Sequence, residues 1–171
     1  ILSCGSSSAS FPGLAPDGDA VLDSTGVLNL PEVPESLIIV GAGAIGLELG
    51  DFFGMMGSKI TIVEAAPHIA PTEDADIAKE MDRVQSKAGR TCITGVMAKS
   101  LVTKDGQAEL TLGDGRVLTA SKALVAVGRT PNTAGLDCEK AGCTLKRRGF
   151  VDVNAHLEAA EGVYAIGDVN G

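Results

Sequence analysis

The sequence predicts an α/β fold built on a parallel sheet, with a β-meander inserted late in the domain. Three observations predict it. Continuous β-branched and apolar runs, such as Leu37-Ile38-Ile39-Val40, read as strands buried on both faces. Segments with apolar residues at helical spacing alternate with them. The composition is rich in Gly, Ala and Val and poor in aromatics: four Phe, one Tyr and no Trp in 171 residues. That balance fits a parallel α/β core better than a β-sandwich or a base-stacking RNA module.

The length suits one domain or slightly more. With 44% hydrophobic and 21% charged residues the chain can fill a core and is not disordered. The 22 glycines show no triplet repeat, which excludes collagen. The net charge of −8 opposes nucleic acid as a partner, because that binding needs Lys and Arg on phosphates. No run of about 20 apolar residues is present, so no membrane partner is expected. The opening Ile1-Leu2-Ser3-Cys4-Gly5 lacks the basic start and apolar run of a secretory signal. Reduced thiols in a cytoplasmic setting are therefore the expectation for the four cysteines. The absence of an initial Met and the strand-like ending suggest a fragment of a longer chain.

Along the chain, the first 36 residues read as loop, punctuated by Pro12-Gly13, Pro16-Asp17-Gly18, Pro31 and Pro34. Residues 37–40 are the first buried strand. A glycine-rich turn at 41–46 follows, then a helix carrying Ile45, Leu49, Phe52, Phe53 and Met56, stopped by Gly57. Residues 59–63 form a second strand ending at Glu64. Ile77, Met81, Val84 and Ala88 mark a second helix, and Gly89 ends it. Residues 91–94 are a third strand. Three short strands at 96–103, 107–112 and 116–120 come next. Asp105-Gly106 and Gly113-Asp114-Gly115 separate them as hairpin turns, which defines the inserted meander. A buried strand at 123–127 and an apolar strand at 163–166 complete the pattern.

Residues 41–46, Gly-Ala-Gly-Ala-Ile-Gly, form a G-x-G-x-x-G turn. Its context raises it above a chance match. It follows a buried strand, opens a helix, and precedes a strand that ends in an acid. Gly41 permits the tight turn, Gly43 lets a pyrophosphate approach the backbone, and Gly46 lets the helix pack closely. The helix N-terminus, at Ala44 and Ile45, offers free N–H groups and a positive dipole end to phosphates. Glu64 stands 18 residues beyond Gly46, where a Rossmann-like dinucleotide fold places an acid on the adenosine ribose. A carboxylate there repels a 2′-phosphate, and Ala65-Ala66-Pro67-His68 supplies no Arg. The expected cofactor is NAD rather than NADP.

Longer stretches carry a family resemblance. Leu22-Asp23-Ser24-Thr25-Gly26-Val27-Leu28, Val33-Pro34 and Ile39-Val40 through Glu48-Leu49-Gly50 resemble the central region of the dihydrolipoamide dehydrogenases. These are FAD-containing pyridine nucleotide-disulfide oxidoreductases. Val127-Gly128-Arg129-Thr130-Pro131-Asn132 resembles the family's V-G-R-x-P-N segment, and Tyr164-Ala165-Ile166-Gly167-Asp168 its second flavin motif. Leu2-Ser3-Cys4-Gly5-Ser6 resembles the crossover between the family's flavin and NAD domains, with Cys4 in place of Thr.

The resemblance implies roles. Gly41, Gly43, Gly46 and Glu64 would bind NAD, with Gly128 close to it. Glu48 matches a glutamate near the nicotinamide. Gly167 and Asp168 would meet FAD, Asp168 on the ribityl chain. It also implies boundaries: residues 1–30 a crossover from the FAD domain, 31–128 the NAD-binding domain, 129–171 a return toward the FAD domain. The partners would be a nicotinamide dinucleotide and the rest of a homodimeric flavoprotein. The family's first flavin motif, redox disulfide and His-Glu acid/base pair lie outside these motifs, so the chain alone is expected to be inactive, with no catalytic residue of its own. A sibling flavoprotein (a mercuric reductase, an NADH oxidase or a transhydrogenase) and a non-catalytic nucleotide-binding module remain the alternatives.

Other features read as structural. Cys138 and Cys143 have the spacing of a redox pair but follow Pro131-Asn132, where the family has a surface helix; spacing alone is poor evidence for reactivity. Cys92 reads as a core residue in a strand. His68 and His156 read as loop residues, and no zinc-ligand pattern includes them. Glu73, Asp74 and Asp76 suit the first turn of a helix. Lys146-Arg147-Arg148 reads as a solvated turn.

Overall fold

The structure, a computed structural model, describes residues 1–171. In chain order its strands are β1 (Ser6–Ser8), β2 (Val21–Leu22), β3 (Ser36–Val40), β4 (Lys59–Val63), β5 (Thr91–Ile93), β6 (Ala98–Lys104), β7 (Gln107–Leu112), β8 (Val117–Ala120), β9 (Lys122–Val125), β10 (Arg129–Pro131), β11 (Glu158–Ala160) and β12 (Val163–Tyr164). Its α-helices are α1 (Ser24–Leu28), α2 (Ala44–Met55) and α3 (Ala75–Lys87). The chain packs as two units. The larger is Ser10–Gly128; the smaller joins Ile1–Ala9 to Arg129–Gly171.

In the larger unit, five parallel strands lie in the order β2-β9-β3-β4-β5. The run in β3 explains itself by its two faces. Ile38 and Val40 turn toward Leu101, Leu110 and Leu112 of the meander. Leu37 and Ile39 turn toward Leu47 and Phe53 of α2. A strand covered on both sides has no polar face, so the sequence shows no alternation. Each such side chain contributes about 1.5–3 kcal/mol on burial. The meander β6-β7-β8 is antiparallel and does alternate, burying Ala108, Leu110 and Leu112 of β7.

The loop expected before residue 36 is partly regular. Val21 and Leu22 pair with Ala123 and Leu124, and so extend the parallel sheet by one strand. Asp23 then caps α1, its Oδ1 accepting from Gly26 N–H at 2.8 Å. Residues 10–30 therefore pack with the larger unit. A two-residue strand amid Pro and Gly leaves no periodicity to read. The strand expected over 123–127 stops at Val125. Ala126 N–H still reaches Val40 O at 2.8 Å, but β3 ends there and leaves no neighbour beyond.

Asp17 ties this entry segment down. Its Oδ1 accepts from the N–H of Asp19 (2.9 Å) and Val21 (3.1 Å), and its Oδ2 from Thr103 Oγ1 (2.5 Å). Partial burial would raise its pKa. The hydrogen bonds from Thr103, Asp19 and Val21 together outweigh that and hold the carboxyl below its ordinary value. A lowered carboxyl pKa stabilises the fold above the unfolded value and loses that contribution as pH falls through the folded one. Asp17→Ala is thus expected to cost about 1 kcal/mol at neutral pH, because the group is exposed. Urea melts should show the cost shrinking as pH falls below the ordinary carboxylate range and the group protonates.

The smaller unit holds two short antiparallel ribbons, β1-β10 and β11-β12. Its core is Cys138, Cys143, Val151, Ala165 and Val169. The apolar strand expected at 163–166 is only the two-residue β12, with Tyr164 and Ile166 exposed and Ala165 buried. A ribbon covered on one side buries alternate residues, not a continuous run. Cys92, expected in the core, is half-buried because β5 is the edge of its sheet.

Candidate functional site

The glycine turn is built by close backbone contacts. Gly41 leaves β3 with φ of +103°, and a Cβ there would lie 2.3 Å from Ala126 O. At Gly46 a Cβ would lie 2.1 Å from Gly41 O and 3.1 Å from Ile39 Cγ2. Side chains at either place would force α2 off the sheet. Gly43 is different. It is the N-cap of α2 in an extended conformation, and a Cβ there would meet nothing within 4 Å. No side chain caps this helix. Its first internal bond is Leu47 N–H to Gly43 O, at 3.0 Å. The N–H groups of Ala44, Ile45 and Gly46 therefore lack an intrahelical partner and face the positive end of the helix dipole.

A pocket of about 450 Å³ opens beside this turn. Gly41, Gly43, Glu64 and Gly128 line it, with Val40 and Val63 at the strand tips. Chain order runs from β3 outward through β4 to β5, then crosses to β9 on the other side of β3. The pocket sits at the carboxyl ends of the strands where that direction reverses, the usual ligand crevice of open α/β sheets.

Glu64 follows β4 and is joined to the glycine turn itself. Its Oε2 accepts from Ala42 N–H at 2.8 Å and its Oε1 from Ala66 N–H at 2.8 Å. The carboxylate thus fixes the turn while keeping lone pairs for a further donor, since an ionised carboxylate has about four acceptor sites. Sequence reasoning placed the acid at the strand tip but missed these amide bonds. It also missed Phe11, Pro71, Thr72 and Met97, which line the same pocket. Phe11 (53% exposed) carries the one available signal, a large apolar side chain in loop sequence; Met97 (69% exposed) falls inside an expected strand and gives none.

Of the remaining residues singled out by sequence, Ala44 and Glu48 are exposed on α2, Ile45 is half-buried there, and Gly128 joins the pocket wall. Gly167 and Asp168 lie in the smaller unit. There Asp168 Oδ2 accepts from Ser6 Oγ at 2.5 Å, and Arg129 Nε reaches that same carboxylate oxygen at 3.3 Å. Arg129 also donates to Ser6 Oγ (2.5 Å) and Ser6 O (2.7 Å). The Ser6 hydrogen bond first, and the Arg129 charge with it, hold the Asp168 carboxyl below its ordinary range. His68 sets Nδ1 at 2.9 Å from Ile69 O, and His156 lies in a turn bonded to Asn154. No group of three or more His, Cys, Asp or Glu is placed to hold a metal ion, and no helix is long and apolar enough to cross a membrane.

Comparison with known proteins fits this geometry. The family model for pyridine nucleotide-disulphide oxidoreductases matches residues 1–171. A dihydrolipoyl dehydrogenase of Trypanosoma brucei brucei is 41% identical, over 99% of this chain and 37% of its own. A leghemoglobin reductase of Glycine max is 39% identical, over 99% of this chain and 34% of its own. Among solved structures, LpdA from Mycobacterium tuberculosis superposes with a TM-score of 0.90 at 32% identity, covering 99% of this chain and 37% of that one. The HOCl-induced flavoprotein disulfide reductase RclA from Escherichia coli gives 0.85 at 34%, covering 98% and 39%. The chain spans a little over a third of the length of these relatives. It belongs to the pyridine nucleotide-disulphide oxidoreductases, a family of flavoproteins that use FAD and NAD(H).

Proposed function

We propose that the larger unit binds NAD(H) in the pocket beside the glycine turn, as the nicotinamide-nucleotide domain of an FAD-dependent dihydrolipoyl dehydrogenase. The observation that carries this is the open face at Gly43, set on an uncapped helix N-terminus beside the Glu64 carboxylate. The pyrophosphate would lie against Gly43 and accept from the amides of Ala44, Ile45 and Gly46. Glu64 would accept from the adenosine ribose hydroxyls with the lone pairs its amide bonds leave, and would repel a 2′-phosphate. Gly41 and Gly128 would bring backbone close to the dinucleotide, and Glu48 would face the nicotinamide end. The smaller unit would turn toward the flavin, with Gly167 admitting the ribityl chain and Asp168 accepting from it.

The bound nicotinamide supplies the hydride acceptor; this chain binds and orients it. Electrons from a dithiol would reach NAD through the flavin in the longer protein, and the 171 residues alone would turn nothing over. The likeness to RclA and to leghemoglobin reductase supports a second reading, the same unit in a sibling reductase. Oxidation of dihydrolipoamide by the longer protein separates the two.

Calorimetric titration of the chain with NADH and NADPH tests the cofactor assignment. NADH should bind more tightly. Glu64→Ala should weaken it at least tenfold, about 1.4 kcal/mol, and narrow the gap to NADPH. Tighter NADPH binding, or an unchanged titration in a folded Glu64→Ala protein, would overturn the reading.

A further inference from the structure

Cys138 and Cys143 take no part in the site described above. Both are buried at 3% exposure and share one apolar cluster with Val151, Ala165 and Val169. Their backbone is a closed turn. The single-turn helix Cys138–Ala141 ends at Gly142, whose φ is +79°. Gly142 N–H donates to Glu139 O at 3.0 Å, and Cys143 N–H to Cys138 O at 3.1 Å. This is the Schellman pattern, in which the first and sixth residues commonly pack on each other. Here both are thiols. The 3.1 Å bond between their backbones holds the two α-carbons within about 7 Å, the limit for a disulfide. Cys4 packs against the same cluster. Burial chiefly, then the nearness of Cys143, raises the Cys138 thiol above its ordinary pKa.

We propose that Cys138 and Cys143 are an oxidation site, which peroxide converts to an intramolecular disulfide clasping this turn and a dithiol restores. One thiolate attacks the O–O bond, forming a sulfenic acid and releasing hydroxide. The second thiol attacks that sulfur; the S–S bond forms and water leaves. Two thiols lose two protons and two electrons, and hydrogen peroxide becomes two waters. Burial and the raised Cys138 pKa make the reaction slow at neutral pH and faster in alkali. The clasp would stiffen the cluster that seats Val169, the neighbour of Asp168.

Lys140 lies between the two cysteines, so trypsin separates them. The chain would be treated with hydrogen peroxide, alkylated in denaturant and digested. Residues 130–140 and 141–146 should be recovered joined, and recovered apart after dithiothreitol. Cys143→Ser should abolish the joined species, and Cys4→Ser should leave it. Recovery of the two peptides apart and alkylated, or of Cys138 joined to Cys4 or Cys92, would overturn the proposal.

Discussion

Gly46→Val will destabilise the larger unit and abolish NADH binding together. A Cβ at this position would sit 2.1 Å from Gly41 O, and the atom it strikes is backbone, which cannot rotate aside. Relief requires α2 to lift from β3. That would also separate Leu47 and Phe53 from Ile39 and Leu124, which now share one core cluster. Overpacking of this kind costs about 1–3 kcal/mol and more where backbone must move. Gly43→Val is the informative companion. Its side chain would enter open space, so stability should stay within about 1 kcal/mol of the parent. NADH affinity should nevertheless fall at least tenfold, about 1.4 kcal/mol, because the branched side chain occupies the approach to the helix amides. Thermal melts and titrations on both proteins separate the effects. Unchanged NADH binding in a folded Gly43→Val protein would remove the phosphate assignment.

Arg90→Ala should cost about 3 kcal/mol and lower Tm by roughly 10 °C. The Arg90 side chain is only 7% exposed. Its Nη1 pairs with Asp51 Oδ1 at 2.7 Å and donates to Gln85 Oε1 at 2.9 Å, and its Nη2 donates to Asp51 O at 3.3 Å. One side chain thus links the α3–β5 connection to α2. It fits because Gly54 has no Cβ, which would lie 2.8 Å from Arg90 Nε. Truncation leaves the buried Gln85 amide without its partner and a void against α2. Arg90→Met refines the test. Arg90 Nε is itself buried without a partner, so an apolar side chain of similar length recovers packing without that penalty. It should cost clearly less than Arg90→Ala in urea melts.

Helices α2 and α3 and the central strands were legible because their signals are local, whereas α1 falls in a stretch that reads as loop. Helical spacing through Leu49, Phe52 and Phe53, and through Ile77, Met81 and Val84, matches α2 and α3. The Asp105-Gly106 turn divides β6 from β7 as expected. What failed was long-range. Val21 and Leu22 become a strand only because β9 presents a free edge. Residues 163–166 lose most of theirs because the smaller unit offers no second sheet to cover them.

The candidate site divides the same way. Residue order alone determined the glycine turn, the acid at the next strand tip and the parallel core, since turn chemistry and burial periodicity depend on near neighbours. Only the tertiary structure decided that Glu64 would bind the amide of Ala42, that Phe11 and Met97 would border the pocket, and that Arg90 would lie under α2. Contacts between residues far apart in the chain depend on how sheets and helices stack, and no spacing in the sequence records that.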